Sequence, residues 1–203
     1  MTRRGWLLFI TLGVFWGMPY LFIRVAVTDF DPIVVAFGRT AIATLLLLPL
    51  ALKARALKPL RPYWKILLLY TAVEIIGPWV LLGHAETRLN SSTTGLLIAM
   101  VPMVAAIILT VSGHDRLDFR RTAGLLLGLI GVGLLVGIDI KFDDLIAVGQ
   151  IIMVVIGYAI GPIIVSRKLS HLPSIGVVTA SLAIAAVAYL PFAIFLWPAQ
   201  ITA

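Results

Sequence analysis

The 203-residue sequence contains no cysteine, and only 12% of its residues are charged. The absence of cysteine excludes a disulfide framework and a thiolate metal site. Its three histidines, His84, His114 and His171, stand far apart in loops, so we expect no metal and no cofactor. No Ser/His/Asp set and no phosphate-cradling glycine loop occurs, and we expect no catalytic residues and no enzyme activity.

Apolar residues are what the chain has in abundance. They make up 61% of the sequence, with a mean hydropathy of +1.10. A soluble domain of this size could not hide so much apolar surface, so lipid must cover most of it. The sequence predicts an all-α membrane protein, a polytopic bundle with seven transmembrane helices. The predicted spans are 6–27, 32–52, 65–83, 92–111, 122–138, 145–165 and 174–197.

The formal charge of +7 does not indicate a nucleic-acid-binding protein, because the basic residues lie between the apolar spans and form no stripe. Twelve of the sixteen basic residues fall at alternate span ends, which the positive-inside rule makes cytoplasmic. The opposite loops carry six of the nine acids, with Glu86 counted among them. We therefore expect a cytoplasmic N-terminus, and a first span retained as a helix.

Prolines and an arginine recur along the chain at nearly one offset. Four positions, Pro19, Arg24, Pro32 and Pro49, correspond to Pro162, Arg167, Pro173 and Pro191, with offsets of 141 to 143 residues. Five apolar spans separate one copy from the next, so the second copy must cross the bilayer in the opposite sense. This pattern is typical of an inverted-repeat transporter. It predicts a first five-helix repeat at 5–138 and the first two helices of a second at 144–203, part of a ten-helix fold.

Several segments together resemble the EamA-type transporters of the drug/metabolite transporter (DMT) superfamily. They are Trp16-Gly17, Arg39, the run from Ala85 to Ser92, the run from Leu96 to Pro102, and Gly113-His114-Asp115-Arg116-Leu117 before a glycine-rich fifth helix. In the family the last of these usually begins Gly-Glu-Arg/Lys, and here the acid is shorter and shifted by one position. The resemblance implies ten helices in two inverted repeats, a central cavity, and export or uptake of small metabolites by alternating access.

Glu74 lies in the middle of the predicted third span, where an acid must be protonated, paired or in contact with water. One interpretation is a proton-coupling group or a counter-ion for a cationic substrate. The other is a structural ion pair with Arg39, which reaches a comparable depth from the second span. The sequence leaves both interpretations open.

Other candidates for the cavity lining or for gating are aromatic, hydroxyl-bearing or helix-bending residues. Trp16 and Tyr158 occupy corresponding places in the two repeats, and aromatic faces suit planar or cationic substrates. Pro102, and Pro78 before it, should interrupt their helices and give bending points. The full set of candidates is Trp16, Tyr20, Arg39, Glu74, Trp79, Ser92, Pro102 and Tyr158.

The sequence thus predicts a secondary active transporter of small metabolites in the plasma membrane, with proton coupling. The alternative is a non-transport membrane assembly protein or a membrane enzyme. A seven-helix retinal protein is disfavoured because residues 174–203 contain no lysine. The glycines of the fifth helix, Gly124, Gly128, Gly131, Gly133 and Gly137, permit close helix packing, within the chain or in a homodimer.

Overall fold

A computed structural model of the chain describes residues 2–113, 118–136 and 144–198, and these residues contain helices and no strand. The run from His114 to Leu117, Gly137 and the acids between 139 and 143 lie outside the described residues. The α-helices are α1 (Arg3–Ala26), α2 (Pro32–Lys53), α3 (Trp64–Thr71), α4 (Gly77–Glu86), α5 (Ser91–Ile98), α6 (Val101–Val111), α7 (Phe119–Val136), α8 (Leu145–Ile164) and α9 (Ser174–Phe195).

Six helical segments are long and apolar enough to cross a membrane: Gly5–Ala26, Pro32–Lys53, Lys58–Glu86, Ser91–Val111, Leu145–Leu169 and Ser174–Phe195. The predicted fifth span corresponds to α7, whose apolar part, Thr122–Leu134, is shorter. The multi-span helical membrane class is therefore confirmed, while the count of seven stays a prediction.

Polar side chains fix where several helices begin. The Asp31 carboxylate accepts a hydrogen bond from the Ile33 amide at 2.8 Å, and Pro32 follows as the first residue of α2. The Asn90 side chain accepts from the Thr93 amide at 2.7 Å and starts α5. Only Thr87 to Leu89 then remain between α4 and the cap of α5, so this connection is much shorter than the predicted loop from His84 to Ser91.

Two of the spans are interrupted near a proline, as predicted. Before Pro78, a π-helical turn at Ala72–Ile76 separates α3 from α4. In the fourth span, α5 ends at Ile98 and α6 restarts at Val101, with Pro102 in its first turn. Because proline cannot donate a backbone hydrogen bond, it fits the start of a new helix better than the middle of a continuous one.

The core forms between two long helix pairs, since α2 packs most extensively along α9 and α4 along α8. Helices α4 and α2 also approach closely, because a Cβ added at Gly83 of α4 would lie 2.8 Å from the Cβ of Pro32 in α2. Helices α2 and α9 are the second helices of the two predicted repeats. Helix α2 begins with Pro32 and α9 begins directly after Pro173, and each carries another proline near its end. The inverted repeat itself stays a prediction.

The outer surface of the described helices is apolar. On α1, Phe15 is 69% exposed and Trp16 67%, and similar exposed residues run along α7, α8 and α9. In water such a surface would be unstable, whereas lipid chains cover it without cost.

The sequence suggested close packing at the glycines of α7, but three of its four glycines have no close neighbour in the described residues. An added Cβ at Gly124, Gly131 or Gly133 would meet nothing within 4 Å, and only Gly128 faces a neighbour, the Met103 sulfur at 3.6 Å. For these four glycines, tight packing inside the described chain is not observed.

Candidate functional site

Charged and aromatic side chains from five spans lie near one another inside the helical bundle. We call this set the central polar cluster, and its members are Tyr20 and Arg24 of α1, Arg39 of α2, Glu74 of the π-helical turn, Trp79 and Glu86 of α4, Tyr158 of α8 and Tyr189 of α9. Five of the eight sequence candidates, Tyr20, Arg39, Glu74, Trp79 and Tyr158, belong to it.

Arg39 makes a cation–π contact, with its guanidinium carbon 4.0 Å from the ring centroid of Trp79. Tyr158, Glu86, Tyr189 and Tyr20 all lie close enough to interact electrostatically with this charge. Glu74 does not: among the described residues, no ion pair within 4.0 Å joins it to Arg39. The interpretation of Arg39 and Glu74 as a structural ion pair was therefore wrong. Arg39 instead contacts the ring of Trp79, which lies on the same span as Glu74.

Glu74 lies in the π-helical turn and packs against α8. Its Oε2 occupies the place that a Cβ would take at Gly161, so the carboxyl group rests on the bare backbone of that glycine. This oxygen is buried and has no hydrogen-bond partner in the described part of the chain. Of the neighbouring titratable groups, the phenols of Tyr70 and Tyr158 are the ones that sense its charge.

A second glycine of α8 brings its backbone against the same turn. A Cβ at Gly157 would lie 2.5 Å from the carbonyl oxygen of Val73 and 2.8 Å from Cγ of Pro78. Gly157 and Gly161 are four residues apart and therefore lie on one face of α8. This spacing lets α8 approach the π-helical turn at backbone distance.

Tyr189 of α9 supports the turn from the opposite side. Its buried hydroxyl donates to the carbonyl oxygen of Ile76 at 2.8 Å and approaches that of Ile75 at 3.1 Å. A widened turn exposes carbonyl groups that a regular α-helix would satisfy internally, and a side chain from a neighbouring helix can take over that role. The segment around Glu74 is thus an irregular turn held between α8 and α9.

Glu86, which the sequence analysis placed in a loop, is fully buried at the end of α4. Both of its carboxylate oxygens lack a hydrogen-bond partner among the residues that the structure describes. Arg24 donates to its backbone carbonyl, and the charges of Arg24 and Arg39 both reach its carboxylate electrostatically. The loop assignment was wrong because α4 continues three residues beyond the predicted end of the third span. The sequence carries a signal for this continuation, since it has no Gly or Pro between Gly83 and Glu86 that would end the helix.

Three of the predicted residues lie elsewhere. Trp16 is on the exposed face of α1, Ser92 is exposed in the first turn of α5, and Pro102 is exposed in the first turn of α6. Near α6, a small gap between α5, α6 and α8 has an entirely apolar lining, which includes Leu97, Met100 and Val155. The two described acids with buried, unpartnered oxygens, Glu74 and Glu86, both belong to the central polar cluster.

The cluster contains no set of three potential metal ligands among the described residues. It does contain two carboxyl groups with unpartnered oxygens and an arginine stacked on an aromatic ring. Buried groups of this kind in a membrane bundle can exchange protons and can bind a polar molecule. Together with the multi-span helices, they define a helical membrane protein with a polar interior.

The family model of the EamA-like transporter family matches residues 3–137, which run from the start of α1 past the end of α7. The chain belongs to this family, and thereby to the DMT superfamily. No curated protein and no solved structure matched the sequence. Members of the family are generally transporters and not enzymes, in agreement with the fold.

Proposed function

We propose that the protein is a secondary active transporter that moves a small metabolite across the cell membrane by alternating access, coupled to protons. The observation that carries this proposal is the placement of Glu74. It is an acidic side chain in an irregular turn in the middle of a membrane span, with a buried oxygen that no described residue hydrogen-bonds. A carboxyl group kept there at an energetic cost is explained by a function that uses its proton.

The interrupted spans support alternating access. The third span is broken by the π-helical turn at Ala72–Ile76 and the fourth between Ile98 and Val101. In many secondary transporters, discontinuous helices near the middle of the bilayer form the binding site and allow one bundle to move against the other. Here the broken third span lies against both α8 and α9, which belong to the predicted second repeat.

The chemistry of the cluster fits a small polar or amphipathic substrate. Arg39 supplies a cation, Glu86 an anion, and Trp79 and Tyr158 supply aromatic surface. Together these groups can hold both a charged and an apolar part of one molecule.

Transport can be tested directly with the purified protein in liposomes. We expect an inward proton gradient to drive redistribution of at least one metabolite from a mixture of small polar compounds. Mass spectrometry of the vesicle contents measures this redistribution. A protonophore should abolish it, and protein-free liposomes should not show it. If every metabolite distributes identically in vesicles with and without protein, the transporter proposal is wrong.

Location in the plasma membrane with a cytoplasmic N-terminus is part of the proposal. It is supported by the exposed basic residues at the end of α2 and just after it, Lys53, Arg55 and Lys58, and by the exposed Asp29 before α2. A reporter active only in the cytoplasm should work when fused after Lys58 or Arg120 and fail when fused after Asp31. Activity after Asp31 with none after Lys58 would reverse the orientation.

We also propose that the two units, 5–138 and 144–203, are related as inverted repeats. The correspondence of Pro19 with Pro162 and of Pro49 with Pro191 supports the repeat, since all four lie inside helices.

A homodimer is a further proposal, supported by the open glycine face of α7.

A further inference from the structure

Arg39 is the starting point because its charge is held inside the bundle without a carboxylate in contact. Among the described residues, no acid lies within 4.0 Å of its guanidinium, which instead makes the cation–π contact with Trp79 at 4.0 Å. A charged side chain in a membrane span normally pairs with another charge or lines a path for ions or substrate. An arginine retained there without a paired acid indicates that an anion joins it during function.

No described residue makes a hydrogen bond with the Arg39 guanidinium. A cation–π contact uses the face of the Trp79 ring, while the five N–H donors of a guanidinium lie at its edge. The hydroxyls of Tyr20 and Tyr158, both close enough to sense the charge, make no hydrogen bond to any described residue. Tyr189 differs, since its hydroxyl is committed to the carbonyls of the π-helical turn. Donors from three helices are thus available for one ligand.

Glu86 is the one acid of the described residues whose charge reaches Arg39, and it does not contact the guanidinium. Its carboxyl group is fully buried, and no described residue hydrogen-bonds either of its oxygens. When it is ionised, its charge interacts with Arg24 and Arg39 at a distance. The carboxylate therefore contributes part of the counter-charge that Arg39 needs without occupying its donors. A bound anion and an ionised Glu86 would interact with the same two arginines. Because like charges repel, each would weaken the interaction of the other with these arginines.

We propose that Arg39 binds the carboxylate of the transported substrate, a small organic anion with an aromatic or other apolar body that packs against Trp79 and Tyr158, and that Glu86 competes with it for the arginine. The inference rests on the transporter function proposed above and adds the substrate class. Arg39 acts as the binding residue and Glu86 as a competing anion. A guanidinium suits this role because it matches a carboxylate with two parallel hydrogen bonds.

The test uses three probes that share one ring and differ in charge: benzoate, benzyl alcohol and benzylamine. Binding to the purified full chain in detergent is followed by thermal unfolding, because a ligand of the native state raises its stability with concentration. We expect benzoate to raise the unfolding temperature in a saturable way, and the other two probes to have little effect. Arg39→Gln should weaken benzoate binding about 10-fold or more, whereas Arg61→Gln, which removes an exposed arginine, should leave it unchanged.

Two further variants keep the test decisive if Arg39→Gln does not fold. Arg39→Lys retains the charge but loses the planar fork, and should weaken benzoate binding measurably. Glu86→Gln removes the competing anion and should strengthen benzoate binding about fivefold.

Stabilisation by benzylamine instead of benzoate would overturn the proposed anionic substrate and would indicate a cationic substrate bound by Glu74 or Glu86. The absence of benzoate binding up to its solubility, or equal binding by the wild type and Arg39→Lys, would overturn the role of Arg39. None of these outcomes affects the liposome transport assay, which tests the transporter function separately.

Discussion

Replacing Gly157 with alanine is expected to destabilise the protein by about 1–3 kcal/mol, the usual cost of forcing a methyl group into a closely packed site. The new Cβ would lie 2.5 Å from the carbonyl oxygen of Val73 and 2.8 Å from Cγ of Pro78. A backbone carbonyl cannot rotate away as the end of a flexible side chain can. Helix α8 must therefore move off the π-helical turn, and we expect transport to fall with the stability. Thermal unfolding in detergent measures the change.

Gly149→Ala is the matched control, since Gly149 lies in the same helix and an added Cβ there would meet nothing within 4 Å. This change should leave stability unaltered or raise it by about 0.5–1 kcal/mol, because alanine favours the helix over glycine. If Gly157→Ala is as stable as Gly149→Ala, the close approach of α8 to the turn does not exist.

The membrane class and the approximate span limits could be predicted from the sequence because repeated apolar runs near 20 residues are typical of membrane-spanning helices. Helix α2 was predicted at 32–52 and is found at Pro32–Lys53. The same reasoning placed the end of the third span too early. A hydropathy pattern assigns polar residues such as His84 and Glu86 to a loop, whereas the helix continues until its hydrogen bonds or its cap stop it. Asn90, the cap of α5, was the better marker.

The pairing of charges inside the bundle could not be predicted. Arg39 and Glu74 were reasonable partners by depth, but depth says nothing about the direction in which a side chain points around its helix. That direction is altered by the π-helical turn, which inserts an extra residue and rotates α3 relative to α4. Trp79, five residues after Glu74, is the residue that meets Arg39. The turn has no strong local sequence signal beyond Pro78, and it depends on α8 and α9 for support.

The aromatic candidates divide for a similar reason. Tyr158 and Trp16 were chosen because they correspond in the two predicted repeats, yet Tyr158 lies in the central polar cluster and Trp16 is 67% exposed. Repeat position predicts depth in the membrane, while the neighbours of a helix decide which face is covered. In the described residues, α1 contacts α4 and α5 mainly through its last turns, near Tyr20 and Ile23. Tyr20 therefore joins the cluster while the first four turns of the helix face outward.

Glu74→Gln is expected to abolish proton-driven accumulation of the substrate while the protein remains folded. The amide keeps the size and most of the hydrogen-bonding capacity of the acid but cannot take up or release a proton. Stability should change by less than about 1 kcal/mol, because Arg39 is held by Trp79 and loses no partner when Glu74 becomes neutral. Uptake into liposomes with and without a proton gradient, together with thermal unfolding, measures both parts of this expectation.

Asp29→Asn supplies the control for Glu74→Gln, since it removes an exposed acid from a loop at the membrane surface and should leave both accumulation and stability unchanged.

Two measurements on Glu74→Gln distinguish the possible roles of Glu74: substrate exchange without a gradient and gradient-driven accumulation. A variant that still exchanges substrate across the membrane without a gradient, but no longer concentrates it, has lost coupling and kept the substrate path. A variant that has lost exchange as well has lost the site itself, and Glu74 then binds substrate or shapes the path. Full gradient-driven accumulation by Glu74→Gln would remove this residue from the coupling mechanism. The buried carboxyl of Glu86 lies on the same span, and no described residue hydrogen-bonds its oxygens, so Glu86 would then be the next proton carrier to test.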